Sequence, residues 1–256
     1  MSKTTHMNLK GKIAIVTGGN RDIGKAISIK LAKEGAKVVV NYYSNEANAK
    51  ETLNAIKSAG GEAIIVKADV TKKSEVDKLI KETIGNYGET IDVLVNNTGG
   101  LVARKTIAEM DEAFFDKVIK LNLNSTFLVT QAVLPHMKSG AFIVNIASQA
   151  GRDGGGGGSI AYATSKGAIM TFTRGLAKEV GPKNIRVNAL CPGMIATTFH
   201  DTFTTDEVRE KVAGMTPLRR EGSADEIANA VACLASSETS FITGANIDIN
   251  GGLVFS

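Results

Sequence analysis

The chain is 256 residues long, 43% hydrophobic and 22% charged, with a formal net charge of +4. That length suits one large α/β domain with a substantial core, and the composition is ordinary for a globular protein. Lysines and arginines are interspersed with acids, so the mild positive charge makes no nucleic-acid footprint and suits anionic small ligands. No apolar run reaches the length of a membrane span, so no membrane partner is expected.

Residues 1–8 are polar, lack the apolar stretch of a signal peptide and are expected to form a flexible N-terminus. Residues 9–256 read as one domain. Residues 12–17 (Lys-Ile-Ala-Ile-Val-Thr) form a short β-branched run ending at glycines, the pattern of a buried parallel strand. Residues 23–34 have helical periodicity and stop at Gly35. Strands over 37–41, 63–67 and 91–95 then alternate with helices over 46–59 and 74–84, the first of these ended by Gly60-Gly61. A long helical region is expected over 107–137, then a strand over 141–146, a helix over 162–180 and a strand over 185–190. A helix over 224–235 and a strand over 246–249 close the pattern. Alternation from end to end predicts a Rossmann-type, doubly wound parallel β-sheet with helices on both faces. The glycine run 154–158 reads as a flexible loop. The rhythm breaks over 194–216, after the end of a strand, where open α/β sheets bind ligands; this insert is expected to be a mobile substrate lid. Cys191 and Cys233 lie far apart without metal-type spacing. They read as packed thiols in a reducing, cytoplasmic compartment, and no metal site is expected.

The first strand-to-helix turn reads Thr17-Gly18-Gly19-Asn20-Arg21-Asp22-Ile23-Gly24. Glycines let the backbone approach a diphosphate, and the helix N-terminus offers unpaired N–H groups and positive potential. The candidate contacts here are Gly18, Asn20, Arg21, Ile23 and Gly24. A carboxylate at the end of the second strand would bind adenosine ribose hydroxyls and repel a 2′-phosphate. Asn41 and Tyr42 stand there instead, with no acid before Glu46, and Arg21 can pair with the phosphate. NADPH is therefore the favoured cofactor, with NADH as the alternative. Further on, Tyr162 and Lys166 are four apart and share one helix face. An ammonium one turn from a phenol favours the phenolate, so such a pair can exchange a proton with a hydroxyl or carbonyl.

With these residues in place, the chain resembles the short-chain dehydrogenase/reductase family over almost its whole length. The matching features are Thr17-Gly18 with Ile23-Gly24, Asp69-Val70, Asn96-Asn97-Thr98-Gly99 and Asn122. Further matches are Ser148, Tyr162 with Lys166, Pro192-Gly193 with Thr197, and residues 248–252. The resemblance implies a catalytic set of Asn122, Ser148, Tyr162 and Lys166. In that pattern Tyr162 protonates the substrate oxygen, Ser148 hydrogen-bonds it, Lys166 holds the nicotinamide ribose and lowers the Tyr162 pKa, and Asn122 positions a water. It also implies cofactor contacts from Asp69 at the adenine, Asn97 on the adenosine ribose side and Thr197 at the nicotinamide amide, with Val70, Gly99, Tyr162, Lys166, Pro192, Gly193 and Ile195 as further contacts. Two residues depart from the pattern. Asp22 stands where the family has glycine, a carboxylate that can cap the helix or weaken diphosphate binding by repulsion, and Thr98 replaces an alanine.

For the substrate, the stretches beside these residues matter: 99–105, 149–158 and 198–200. Arg104, Gln149, Arg152 and His200 are the candidate contacts, the cations among them suited to a carboxylate. These stretches resemble those of bacterial reductases acting on 4-deoxy-L-erythro-5-hexoseulose uronate, the keto-uronate released from alginate. That implies reduction to 2-keto-3-deoxy-D-gluconate. The general pattern also resembles 3-oxoacyl-[acyl-carrier-protein] reductases and sugar 1-dehydrogenases. A dinucleotide-binding regulator without turnover would not need all four catalytic residues. The family further implies a homotetramer packed through the helices near 107–137 and 160–180.

Overall fold

Seven short strands, β1 (Ile13–Val16), β2 (Lys37–Tyr42), β3 (Glu62–Lys67), β4 (Val93–Asn96), β5 (Phe142–Ile146), β6 (Arg186–Pro192) and β7 (Asn246–Ile249), make one sheet in the order β3-β2-β1-β4-β5-β6-β7. Every pairing is parallel. The computed structural model describes residues 9–255, so the expected flexible N-terminus lies outside them. Among the described residues ten α-helices connect the strands: α1 (Asp22–Lys33), α2 (Glu46–Ser58), α3 (Lys73–Tyr87), α4 (Glu112–Ile119), α5 (Ser125–Val133), α6 (Ala150–Asp153), α7 (Ile160–Val180), α8 (Thr198–Phe203), α9 (Asp206–Met215) and α10 (Ala224–Leu234).

The uninterrupted apolar runs follow from a sheet covered on both faces. In β1, Ala14 and Val16 share one core with Ile27 and Leu31 of α1 and Ile227 and Val231 of α10. Ile15, between them, packs into the opposite core with Leu79 of α3, Val133 of α5 and Leu176 of α7. Successive side chains leave opposite faces of a strand, so both must be apolar when both faces are buried. No helix among the described residues is long and apolar enough to cross a membrane.

The structure corrects the expected helix over 107–137. Helix begins only at Glu112, because Asp111 caps it, its Oδ1 accepting from Phe114 N at 2.7 Å. Between α4 and α5, residues Lys120–Asn124 widen into a π-turn, with Asn122 fully buried at its centre. Such single-turn π segments frequently occur at functional sites. The four-residue α6 is too short to show a helical period in sequence. The glycine run, expected to be flexible, is tied down: Gly155 N donates to Asp153 Oδ1, Lys105 N to Gly158 O and Arg104 Nη1 to Gly157 O.

Candidate active site

The strand order turns back between β1 and β4, and a crevice opens there at the carboxyl ends of the strands, the place where α/β sheets bind ligands. The cleft has a volume of about 1150 Å³, enough for a dinucleotide beside a small substrate. It is lined by Gly18, Asn20, Arg21, Ile23, Gly24, Asn41, Asp69, Val70, Asn97, Gly99, Pro192, Gly193, Ile195 and Thr197, so nearly every expected cofactor contact converges on it. Its shape fits the dinucleotide at the glycine turn: a Cβ on Gly24 would collide with Gly18 O and the Asn97 amide, so only glycine lets α1 start so close to the strand ends. At the far end, burial alone would raise the Asp69 carboxyl. Hydrogen bonds from Thr71 and the Lys72 ammonium outweigh it and hold the group below the usual range, so it is an anion.

Three cofactor candidates play other parts. Tyr42 is buried and does not line the cleft; Tyr43, Ser44, Asn45 and Asn48 do. The strand period explains it, since neighbours 42 and 43 leave opposite faces. Asn41 lines the cleft, but its amide is spent on the fold: Oδ1 accepts from Gly18 N, and Nδ2 donates to Val66 O and Ala68 O. It braces the glycine turn. Arg21, expected at a 2′-phosphate, turns toward the 194–216 insert, where Nη1 donates to Thr198 Oγ1 at 3.3 Å.

Ser148 follows β5, and Tyr162 and Lys166 rise from successive turns of α7. Lys166 is buried, donates to Ile146 O at 2.6 Å and sits 5.7 Å from the centre of the Tyr162 ring. Burial pulls its ammonium down to about 8. Two influences set the Tyr162 phenol in the absence of a cofactor. Burial pushes that phenol up, and the group that draws it back is Ser148. The site without cofactor therefore holds a protonated phenol at neutral pH, a proton donor rather than a base. The Asn122 side chain is engaged by the fold: both its amide hydrogens donate, to Gly100 O and Val118 O, while Oδ1 accepts from Gly100 N. Its amide holds the 99–100 loop and has no donor left for water. Gly99 fits over this pair, where a Cβ would lie 2.5 Å from Asn122 Oδ1 and 3.1 Å from Lys166 Nζ.

Of the four substrate candidates, Arg104, Gln149 and His200 line the cleft and Arg152 does not. Arg152 turns toward the sheet edge, pairing with Asp248 at 2.6 Å and donating to Asn246 O. Both charges are mostly buried, and removing one partner strands the other. Arg152→Ala should therefore cost about 2–4 kcal/mol of stability, read by denaturant unfolding, with the substrate KM unchanged. A raised KM at unchanged stability would return Arg152 to the site. Gln149 donates to Asp153 Oδ2, which leaves its buried Oε1 without a partner among the described residues, facing Gly193. Burial pushes the His200 imidazole below its ordinary range, so it is neutral near pH 7 and bonds Thr204 Oγ1 through Nδ1. Phe199, within the 198–200 stretch expected beside the substrate, places its ring 5.9 Å from that of Tyr162 and walls the site.

A family model described as "Enoyl-(Acyl carrier protein) reductase" (adh_short_C2) matches residues 18–254. Glucose 1-dehydrogenase 2 of Bacillus subtilis is 39% identical over 97% of this chain and 96% of its own. A dehydrogenase/reductase from Sinorhizobium meliloti superposes with a TM-score of 0.93 at 33% identity, covering 98% of each chain. An NADH-dependent reductase, A1-R′, described as responsible for alginate metabolism, superposes at 0.89 with 32% identity, covering 98% of this chain and all of that one. With the family model matching residues 18–254 and relatives aligned over almost the whole length, the chain belongs to the short-chain dehydrogenase/reductase family of NAD(P)-dependent oxidoreductases.

Proposed function

We propose that the chain reduces the C1 aldehyde of 4-deoxy-L-erythro-5-hexoseulose uronate to 2-keto-3-deoxy-D-gluconate, with NADPH as the preferred donor and NADH as the alternative. The observation that carries the substrate is Arg104. Its guanidinium stands in the cleft between the glycine loop and the insert, donates to Phe203 O and Gly157 O, and keeps Nη2 without a partner among the described residues. An arginine so placed can grip a carboxylate. A structural neighbour described as serving alginate metabolism supports the same reading. The lack of a carboxylate over residues 41–45 supports NADPH, since nothing there repels a 2′-phosphate.

The bound dinucleotide supplies the hydride. Tyr162 gives its phenolic proton to the carbonyl oxygen, Ser148 hydrogen-bonds that oxygen, and the Lys166 ammonium stabilises the phenolate left behind. Asn122 acts by position, holding Gly99 and Gly100 over Lys166. The 194–216 insert closes over the substrate, with Phe199 excluding water from Tyr162. The exposed Phe115 and Phe127 suit the helix packing of a homotetramer in the cytoplasm.

A second reading has its own support in the glucose 1-dehydrogenase relative: oxidation of an aldose at C1 by the same residues in reverse. The deciding experiment follows reduced-nicotinamide absorbance with NADPH and NADH against the keto-uronate, a 3-oxoacyl thioester and, oxidatively, a set of aldoses. Rapid NADPH consumption with the keto-uronate is expected. Turnover of the thioester or the aldoses alone sinks the substrate assignment, and faster use of NADH overturns the cofactor preference.

A further inference from the structure

Asp22 is the residue in the glycine turn that the proposed chemistry does not use. It holds φ at 47°, in the left-handed region that favours glycine. Its carboxylate does not cap its own helix: α1 has Arg21 at the N-cap and no side-chain cap bond. It reaches instead to the insert, 176 residues along the chain, where Oδ1 accepts from Thr198 N at 3.1 Å and Oδ2 from Thr198 Oγ1 at 2.6 Å. Arg21 Nη1 donates to the same Thr198 oxygen, so two successive residues of the turn hold one threonine. The N-cap of α8, Thr197, makes no side-chain cap bond of its own, and Asp22 supplies an acceptor to the first N–H of the helix, that of Thr198, from another element.

What Thr198 carries on either side gives the contact its consequence. Thr197 precedes it and lines the cofactor cleft; Phe199 follows it and lies over the Tyr162 ring. A carboxylate that fixes Thr198 at both N and Oγ1 therefore sets both neighbours. The other end of α8 is held separately, by Arg104 Nε on Phe203 O. Arg104 is also the residue proposed to meet the substrate carboxylate, whereas Asp22 is not.

We propose that Asp22 is a positioning residue: it clasps Thr198 and so holds the first turn of the insert closed over Tyr162, whether or not a substrate is present. The clasp also makes the turn that binds the dinucleotide the anchor of the lid, with the φ of Asp22 as its cost. Glycine at this position would relax the backbone and lose the clasp, so Asp22→Gly is expected to fold normally. Asn tolerates a positive φ and can still accept from Thr198 N, so Asp22→Asn should restore part of the effect.

The test is amide hydrogen exchange over residues 198–203 of the full chain without cofactor, with unfolding stability measured beside it. Losing a charge-assisted clasp should speed exchange there about tenfold or more in Asp22→Gly, with Asp22→Asn in between and global stability equal or higher. Thr198→Ala, which keeps the N–H bond and removes the hydroxyl, should give a smaller increase. Unchanged exchange over 198–203 in Asp22→Gly overturns the clasp, and so does a matching increase throughout the chain. A kinetic arm rests on the proposed function: with the keto-uronate and NADPH, Asp22→Gly should raise KM several-fold more than it lowers kcat. If wild type does not turn the keto-uronate over, the functional reading fails while the exchange result still decides the clasp.

Discussion

In Tyr162→Phe, carbonyl reduction should fall by about 10²–10⁴-fold, the range expected when a positioned general acid is removed. The substitution deletes one oxygen and keeps the ring that packs 5.9 Å from Phe199, so the walls of the site survive. Burial keeps the wild-type phenol protonated across the neutral range, and that proton is the one the carbonyl oxygen needs as hydride arrives. Phenylalanine has none to give. Dinucleotide affinity should stay within a few-fold of wild type, because the glycine turn and Asp69 are untouched. Single-turnover kinetics with preloaded NADPH separate the two effects. A variant that kept a tenth of the wild-type rate would show that the proton comes from elsewhere, with Ser148 the next group to question.

How much of this was legible in the sequence depended on the distance over which each residue acts. The strands showed because burial on both faces demands runs such as Ile13–Val16, a local property. Tyr162 and Lys166 showed because one helical turn fixes their relation whatever surrounds them. Gly24 showed because a short turn has few ways to bring a helix to a strand end. Arg152 did not: its partner Asp248 is 96 residues away, and nothing near Arg152 in the chain separates an ion-paired arginine from a substrate-binding one. Asn41 and Arg21 misled for the same reason. Each stands at the right place for a cofactor contact, and each is engaged by a segment brought in by the fold: β3 and its end for Asn41, the insert for Arg21. The start of α4 was misplaced by a local competition, in which the Asp111 cap overrode apolar residues that continue the pattern upstream. The π-turn at Asn122 has no period of its own and was invisible.

Lys166→Met should abolish most turnover, by about 10²-fold or more, yet leave the protein as stable as wild type or more so near pH 7. Methionine fills the same unbranched volume without the charge. The folded-state pKa of about 8 lies below the ordinary 10.5, so burying the ammonium costs about 3 kcal/mol at any pH below 8. Against this, Ile146 O loses its donor, a cost of about 1–3 kcal/mol. The two nearly cancel, with the charge ahead. The pH dependence distinguishes this from simple tolerance. Between about 8 and 10.5 the unfolded chain holds the Lys166 proton and the folded chain does not, so wild-type stability rises through that window relative to the variant. The advantage of Lys166→Met should therefore shrink as pH climbs from 7 to 10, measured by denaturant unfolding at each pH. The same ionisation shapes turnover: reduction by wild type should hold level on the acid side and decline above about 8, as the ammonium that steadies the phenolate is lost. If the stability difference were flat across the window, the ammonium would not be strained in the folded protein. The cation under Tyr162 would then be an ordinary lysine rather than one held charged at a cost that its part in catalysis explains.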